Sequence, residues 1–344
     1  MQLRDVIIEA INFRRPPYVP WSWWMTQQCI DRVKAEVHLE PEVLTGPMHI
    51  ARLGSSIGRF EQLDDVHFRD AYGVTWDRTV DKDIGTPCDW PIKEPEDLAK
   101  YVFPDASAPS WYAGLEDYLA KNRGCFSIYC IGFSLYERAW TLRGMENLLM
   151  DMIERPEFVE KLLGRIVEHD LMQVRKALAM NVDAVYFGDD YGSQVGLIMG
   201  LSHWRHFIKP CLKRMFEPVR SAGKVVFMHS CGCVASLFDD LVEVGLNVFN
   251  PFQPEVMDIY AMKKKYHGRL AFHGGMSVQK ILPFGTVQDV RQATEKLIDA
   301  GREGGLIFSP SHDVPYDVPP ANLVAMMEVL RSQPGFVASQ KAKR

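Results

Sequence analysis

The sequence predicts an α/β fold, a (β/α)8 barrel of the TIM type preceded by an irregular N-terminal extension. The chain has 344 residues, 47% of them hydrophobic, which is enough to bury the core of one large domain. From about residue 120, short apolar segments alternate with longer amphipathic segments. Strands that are apolar on both faces must be covered twice, as parallel strands are when helices connect them. An open doubly wound sheet is the alternative arrangement.

Six strand–helix units are predicted between residues 121 and 333. Their strands are the segments CFSIYCIG (125–132), DAVYFGDD (183–190), KVVFMH (224–229), NVFNPF (247–252), RLAFHGG (269–275) and GLIFSPSH (305–312). The helices that follow them are predicted over residues 135–154, 156–180, 202–223, 234–244, 255–266 and 286–301.

Capping and proline signals define several of these helices. Pro156 suits the first turn of a helix, where its missing N–H costs nothing. Thr286 with Asp289 three residues later is a near variant of a capping box. Pro210 and Pro218 should bend or break the helix over 202–223.

In residues 1–120 the hydrophobic residues show little regular periodicity. Two further strands, needed to complete eight, are predicted from YVPWSW (18–23) and from a segment near 66–80. The whole chain, residues 1–344, is then a single barrel domain. Its parts are the extension and first strands (1–120), the main repeats (121–333) and a tail (334–344).

Composition restricts the cellular role. The net charge of -5 comes without large blocks of like charge, which argues against a nucleic-acid-binding face. No apolar run reaches the length of a membrane span, and the amphipathic start does not resemble a secretory signal. Seven cysteines, an odd number without disulfide spacing, indicate a reducing compartment. A cytoplasmic protein is expected, and the aromatic N-terminal region is compatible with a homodimer.

Polar residues concentrate at the carboxyl ends of the predicted strands. In a parallel barrel these ends share one face, the face that holds active sites. The residues expected to converge there are Asp189, Asp190, His229, Cys231, Asn250, Gln253, His273, Ser311 and His312.

Within that set, His229 and Cys231 are the clearest candidates for metal binding. Residues i and i+2 of an extended segment point to the same side, so an imidazole and a thiolate can reach one ion. Mixed nitrogen and sulfur ligands suit zinc. A buried structural histidine beside an inert cysteine is the alternative. Cys233 should be turned away by Gly232.

Three blocks of the sequence belong together in their order and spacing: HSCG (229–232), FNPFQPEVMDIYAMKKKYHGRLAFHGGM (249–276) and GGLIFSPSHDVPYDVPPANL (304–323). As a set they resemble the uroporphyrinogen decarboxylase superfamily, in particular its zinc-dependent, corrinoid-linked methyltransferase branch. The likeness covers roughly residues 120–333 and also implies the barrel. The decarboxylase itself has an N-terminal arginine-rich glycine motif with no counterpart in RRPPYVPWSWWMTQQ (14–28).

The resemblance implies a metal site and its cofactors. The methyltransferase branch uses the His-x-Cys pair for zinc, and a cysteine after a late strand completes its ligand set. This chain has SPSH there, so the expected ligands are His229, Cys231 and His312. The alternative is that His312 hydrogen-bonds substrate or loop backbone. The second cofactor, a corrinoid, should arrive on a separate protein, because no cobalamin-binding domain is evident.

The implied reaction moves a methyl group between a small O-, N- or S-methylated substrate and the corrinoid, and an aryl methyl ether is favoured. The alternatives are a metal-independent decarboxylase or lyase and a non-catalytic corrinoid- or tetrapyrrole-binding protein. Asp189 or Asp190 could also be a fourth ligand, orient an imidazole, or form an Asx turn. Catalytic roles are expected for Asp189, Asp190 and His273, and substrate contacts for Trp23, Trp24, Tyr191 and Gln253.

Overall fold

The computed structural model of the protein describes residues 1–54 and 60–341. Within these ranges the strands are β1 (Ile50–Leu53), β2 (Glu61–Gln62), β3 (His67–Arg69), β4 (Thr75–Asp77), β5 (Thr86–Asp89), β6 (Phe126–Ile131), β7 (Ala184–Gly188), β8 (Val225–His229), β9 (Val248–Phe252), β10 (Ala271–Met276) and β11 (Leu306–Pro310).

The helices of the described residues precede, connect and follow these strands. They are α1 (Leu3–Ile11), α2 (Gln27–Val37), α3 (Pro41–Thr45), α4 (Leu115–Lys121), α5 (Tyr136–Arg143), α6 (Met145–Glu154), α7 (Pro156–Ala179), α8 (Gly200–His203), α9 (Lys209–Ser221), α10 (Phe238–Glu243), α11 (Ile259–Lys265), α12 (Ile281–Phe284), α13 (Val287–Gly301), α14 (Pro320–Ser332) and α15 (Pro334–Lys341). Short 3-10 turns occur at Pro95–Ala99, Pro109–Trp111 and Ala235–Leu237, and a π-helical turn at Trp204–Ile208.

Seven strands form one sheet in the order β1-β6-β7-β8-β9-β10-β11. From β6 to β11, neighbouring strands of this sheet are also consecutive strands of the chain. The pairs β6–β7, β7–β8, β9–β10 and β10–β11 are parallel. Every residue of β6, β9, β10 and β11 is buried, as expected for strands covered on both faces. The predicted α/β fold of TIM type is confirmed, and all six strands predicted beyond residue 120 are present.

The chain divides into two compact units, each assembled from separated parts of the sequence. Unit 1 contains residues 1–51, 121–127 and the described residues from 247 onwards. Unit 2 contains the described residues of 52–120 and 128–246. The prediction of a single domain over 1–344 remains a prediction.

In unit 1, the strand predicted over 18–23 is reduced to a bridge. Trp21 pairs in parallel with Phe308 of β11, and the Ser22 N–H donates to the Phe308 carbonyl at 3.2 Å. A longer ladder does not form around Pro20, which has no N–H to donate. Trp21 is completely buried, and its ring packs 4.9 Å from that of Phe336.

In unit 2, the prediction of a main-sheet strand near residues 66–80 is wrong. That segment forms β3 and β4 of a separate antiparallel sheet with the order β2-β3-β4-β5. The first strand of the main sheet is instead β1, whose four residues IARL include an exposed arginine. Four residues interrupted by a charge give no clear period.

The predicted helix over 135–154 is broken at Gly144. Gly144 has φ +88, and a Cβ there would lie 2.9 Å from the Trp90 ring, so α5 ends and α6 begins at this residue. Pro156 does open α7. Pro210 lies in the first turn of α9, directly after the π-helical turn, while Pro218 lies inside α9.

The capping box predicted at Thr286 is confirmed, with the Asp289 N–H donating to Thr286 Oγ1 at 3.2 Å. Among the described residues, no helix combines the length and the apolar character needed to cross a bilayer.

Candidate metal centre

His229 is the last residue of β8, and Cys231 follows two residues later in unit 2. The His229 Nε2 atom lies 3.3 Å from the Cys231 Sγ atom. Both side chains are only partly buried, and the His229 side chain keeps 18% of its surface exposed. The two donor atoms therefore lie side by side and remain accessible.

A tight backbone turn holds Cys231 in place. Gly232 has φ +86, and a Cβ there would lie 2.4 Å from the Gly192 carbonyl carbon. A Cβ at Gly192 would in turn lie 2.7 Å from the Cys231 carbonyl oxygen. The Cys233 N–H donates to the Ser193 carbonyl at 2.7 Å. Only glycines permit this close approach of the turns after β7 and β8.

Asp190 bonds directly to the segment that carries His229 and Cys231. Its Oδ1 accepts a hydrogen bond from the Cys231 N–H at 2.7 Å. The same oxygen lies 3.5 Å from His229 Nε2. One carboxylate thus fixes the backbone of one donor residue and lies close to the ring of the other.

Asp189 is completely buried and has a different set of partners. Its Oδ2 accepts hydrogen bonds from the Tyr136 N–H at 2.8 Å and the Tyr191 hydroxyl at 2.6 Å. Its Oδ1 accepts one from the Glu137 N–H at 2.7 Å. Asp189 therefore caps the N-terminus of α5 from the end of β7.

Burial raises the pKa of Asp189 to about 7, although its three hydrogen bonds favour the charged form. Tyr191, for which a substrate contact is predicted, is buried with its hydroxyl on Asp189. Burial and the Asp189 charge raise the pKa of Tyr191 well above its ordinary value.

Glu137 is a candidate that the sequence reasoning missed. Burial, together with the charges of Asp190 and Asp189, raises its pKa well above the usual range of a carboxyl group. Three carboxyl groups therefore lie near one another beside the His-x-Cys segment. Glu137 lies in the first turn of a predicted helix and not at a strand end, so the strand-end pattern gave no signal for it.

In unit 1, His273 on β10 is only 2% exposed. Its Nε2 lies 2.8 Å from the Ser22 carbonyl oxygen, and its Nδ1 lies 3.5 Å from Asn250 Nδ2. Gln253, just after β9, is also buried. Both nitrogens of the His273 ring thus have neighbours within unit 1.

The two tryptophans predicted to contact substrate differ in exposure. Trp24 is half-buried, with its ring 6.3 Å from that of His273. Trp23 is only 1% exposed, and its indole N–H has no hydrogen-bond partner among the described residues. Trp24 is therefore the more accessible of the pair.

His312 is exposed and lies two residues beyond the end of β11. The prediction that His312 joins His229 and Cys231 as a metal ligand stays a prediction. Two imidazoles and a thiolate form a donor set that suits a borderline cation such as zinc.

The fold and these residues describe an α/β protein with titratable groups at the carboxyl ends of its parallel strands. The model of the uroporphyrinogen decarboxylase (URO-D) family matches residues 133–333, more than half of the chain. The chain therefore belongs to the URO-D family. The prediction that the protein is an enzyme of this superfamily is confirmed.

Several curated relatives are distant in sequence. A protein from Chlorobium limicola named uroporphyrinogen decarboxylase is 23% identical over 260 residues, which cover 70% of each chain. One of the same name from Methylococcus capsulatus is 22% identical over 262 residues, covering 72% of this chain and 71% of that protein. Among solved structures, a methyltransferase from Methanosarcina mazei superimposes with a TM-score of 0.70 at 14% identity. That match covers 96% of this chain and 98% of the other, and it shows the fold alone.

Proposed function

We propose that the protein is a zinc-dependent methyltransferase that moves a methyl group between a small methylated substrate and a corrinoid carried by a partner protein. An aryl methyl ether is the favoured substrate. The observation that carries the proposal is the 3.3 Å separation of His229 Nε2 and Cys231 Sγ, and His312 is the proposed third ligand. The structural similarity to a protein named as a methyltransferase points the same way.

The donor atoms fit zinc in chemistry and in spacing. Typical Zn–N and Zn–S bond lengths place two ligands of one tetrahedral ion about 3.5 Å apart. The observed 3.3 Å between His229 Nε2 and Cys231 Sγ is close to this value. Zinc at such a site would supply Lewis acidity to the heteroatom that bears the methyl group, and the corrinoid would supply the methyl acceptor.

The chain's own residues have separate tasks in this proposal. Asp190 holds the Cys231 amide and orients the His-x-Cys segment. Its side chain is 36% exposed, which supports assigning to it the transfer of the proton of a departing alcohol or phenol. Asp189 and Tyr191 support that segment, because the Asp189 N–H donates to the His229 carbonyl and the Tyr191 N–H to Ser230 Oγ, each at 3.0 Å. Trp24 and Gln253 are assigned to substrate binding.

Metal analysis and a single-turnover assay test the proposal. The purified protein should contain about one zinc per chain and should methylate Co(I) cobalamin from one of a panel of methylated phenols, amines and thiols. Cys231→Ala should lose both zinc and methyl transfer. Cys233→Ala is the matched control, because it removes a thiol from the same turn, and it should keep both. Activity that survives in zinc-free Cys231→Ala would contradict the proposal.

A metal-independent decarboxylase is the second candidate, favoured by the name of the curated relatives at 22–23% identity. In that case His229 would donate a hydrogen bond or a proton and Cys231 would be idle. Release of CO2 from a carboxylated substrate by protein stripped of zinc would support this second function over methyl transfer.

A further inference from the structure

A groove in unit 2 lies between one face of α7 and residues 103–105. Its cavity volume is about 530 Å³, within the range of roughly 300–1,000 Å³ that is typical of small-molecule pockets. All of its lining residues belong to unit 2, so the cavity is formed within one compact unit. We call it the α7 groove. The helix lines it with residues three or four positions apart, which share one face: Lys161, Gly164, Glu168, Met172 and Arg175.

The aromatic wall of the α7 groove is held in place by the helix itself. The Phe103 ring lies 5.0 Å from the ring of Tyr101 and 5.4 Å from that of His169. Arg165 Nη2 donates to the Tyr101 carbonyl at 2.7 Å, and the Arg165 guanidinium carbon lies 5.2 Å from the Phe103 ring centroid. The apolar surface is therefore formed before any ligand arrives, as in most small-molecule sites.

Gly164 keeps the middle of the groove open. It lies in the interior of α7, and a Cβ built on it would meet nothing within 4 Å. Glycine inside a helix is less favourable than alanine, because it loses more conformational freedom on folding. Neither the backbone conformation nor the packing of α7 requires glycine at this position. What the missing side chain provides is space in the groove.

His169 also lines the groove, and one of its ring nitrogens is unsatisfied. The side chain is only 3% exposed. Its Nδ1 lies 3.2 Å from Asp170 Oδ1, while its Nε2 has no hydrogen-bond partner among the described residues. Buried polar atoms are normally paired, because an unpaired one loses its hydration without compensation. A polar group of a bound ligand would supply the partner that Nε2 lacks.

The groove also carries positive charge that the protein does not neutralise. Neither Lys161 nor Arg175 forms an ion pair within the described part of the chain. Glu168, by contrast, is paired with Arg214. The carboxylate of Asp105 accepts hydrogen bonds from the N–H and the hydroxyl of the serine two positions later. The groups that remain available to a ligand are therefore cationic.

We propose that the α7 groove binds a small organic carboxylate with an aromatic or branched apolar body. The apolar body packs against Phe103 and Met172, and the carboxylate bonds to Lys161 or Arg175. An inorganic anion would leave the aromatic wall uncovered. An acidic peptide on the surface would leave the buried Nε2 of His169 without a partner. This inference does not depend on the proposed function.

Calorimetric titration of the full chain with naphthoate, cinnamate and isovalerate tests the proposal. The neutral probes are the primary amides of the same three acids. We expect at least one carboxylate to bind wild type about tenfold more tightly than its amide, because a charge-assisted hydrogen bond is lost in the amide. The double variant Lys161→Gln, Arg175→Gln should bind acid and amide alike.

Gly164→Leu tests whether the ligand occupies the groove. The added side chain enters open space and favours the helix, so the variant should melt at or above the wild-type temperature and bind the carboxylate at least about tenfold more weakly. Gly124→Leu is the matched control, because a Cβ at Gly124 also meets nothing within 4 Å and the residue lies outside the groove. It should bind as wild type does.

Three results would each overturn the inference. They are the absence of binding to wild type at millimolar probe, equal binding by wild type and Gly164→Leu, and binding that disappears in Cys231→Ala but survives in Gly164→Leu. The last result would place the carboxylate at the candidate metal centre. Zinc loss in Cys231→Ala with carboxylate binding intact is the expected outcome, so the groove and the proposed function can fail separately.

Discussion

At the scale of single residues, the candidate centre depends on one carboxylate beside two donor side chains. Asp190 accepts the Cys231 N–H at 2.7 Å and lies 3.5 Å from His229 Nε2. Partners of metal ligands fix the orientation of those ligands, so their removal weakens binding even when every ligand is retained. Asp190 is thus the residue whose loss should affect the metal without removing a ligand of the proposed trio.

Asp190→Ala should weaken zinc binding by roughly 10–100-fold, because the Cys231 amide loses its acceptor. Asp190→Asn retains a side-chain oxygen that can accept from this amide, and it should lose less. Competition with a chromophoric chelator measures both affinities. Equal zinc affinities in wild type and Asp190→Ala would show that the carboxylate does not position the site.

At the scale of elements, the turn after β8 decides where Cys231 lies. Gly232 combines a left-handed φ of +86 with a backbone contact that leaves no space for a side chain. An alanine there meets two obstacles, the unfavourable φ and the clash with Gly192.

Gly232→Ala should lower both the stability of the protein and its zinc content, because relief of the clash moves the Cys231 backbone. Gly223→Ala is the control: Gly223 has φ +68, but a Cβ there would have nothing within 4 Å. It should cost stability, by about 1 kcal/mol or somewhat more, and keep the zinc. Thermal melts and metal analysis separate the two effects. Full zinc content in Gly232→Ala would show that the turn tolerates a side chain.

The cap of α5 makes stability depend on pH. The pKa of Asp189 is about 7 in the folded protein, against 3.8 for the free side chain. The folded protein therefore keeps a proton that the unfolded chain releases between these values. The contribution of Asp189 to the free energy of unfolding is fully present below about pH 4 and is lost as the pH rises towards 7.

The free energy of unfolding, measured with urea, should decline less between pH 5 and pH 7 in Asp189→Asn than in wild type. Glu137 should account for part of the decline that remains in the variant. Asp240→Asn is the control. Burial alone would raise the pKa of Asp240, but hydrogen bonds from Arg205 and Lys209 keep it below its ordinary value. The contribution of Asp240 to the free energy of unfolding is lost only as the pH falls below about 4, so this variant should keep the wild-type decline above pH 5. If the free energy of unfolding declined as much in Asp189→Asn as in wild type, the raised pKa of Asp189 would be contradicted.

These elements also show which parts of the fold local sequence can predict. Buried parallel strands such as β9 and β10 appear as continuous apolar runs, and the Thr286 cap lies within three residues of its partner, so both were predicted. The break at Gly144 was missed, because it depends on Trp90, a residue distant in sequence. Glu137 was missed for a similar reason, since its environment comes from the end of β7.

At the scale of the whole molecule, the family match and the structure separate two parts of the chain. The URO-D match begins at residue 133, after the segments that give the antiparallel sheet β2–β5. The strand–helix units, which lie within or next to this match, were predicted from pattern alone. The earlier residues were not, because their short strands pair with one another and not with the main sheet.

A metal bound by residues far apart in the sequence should stabilise the whole fold. A ligand that binds only the folded state raises the free energy of unfolding by RT ln(1 + [L]/Kd), or about 4 kcal/mol at a thousandfold excess over Kd. Removal of zinc with a chelator should therefore lower the melting temperature of wild type, and re-addition of zinc should restore it. His312→Ala should melt near the temperature of the chelated protein and respond little to added zinc. His203→Ala, which removes a half-buried histidine from α8, should keep the full response. If His312→Ala and wild type respond equally to zinc, the imidazole at position 312 is not a ligand, and a zinc site here would have to be completed by another group.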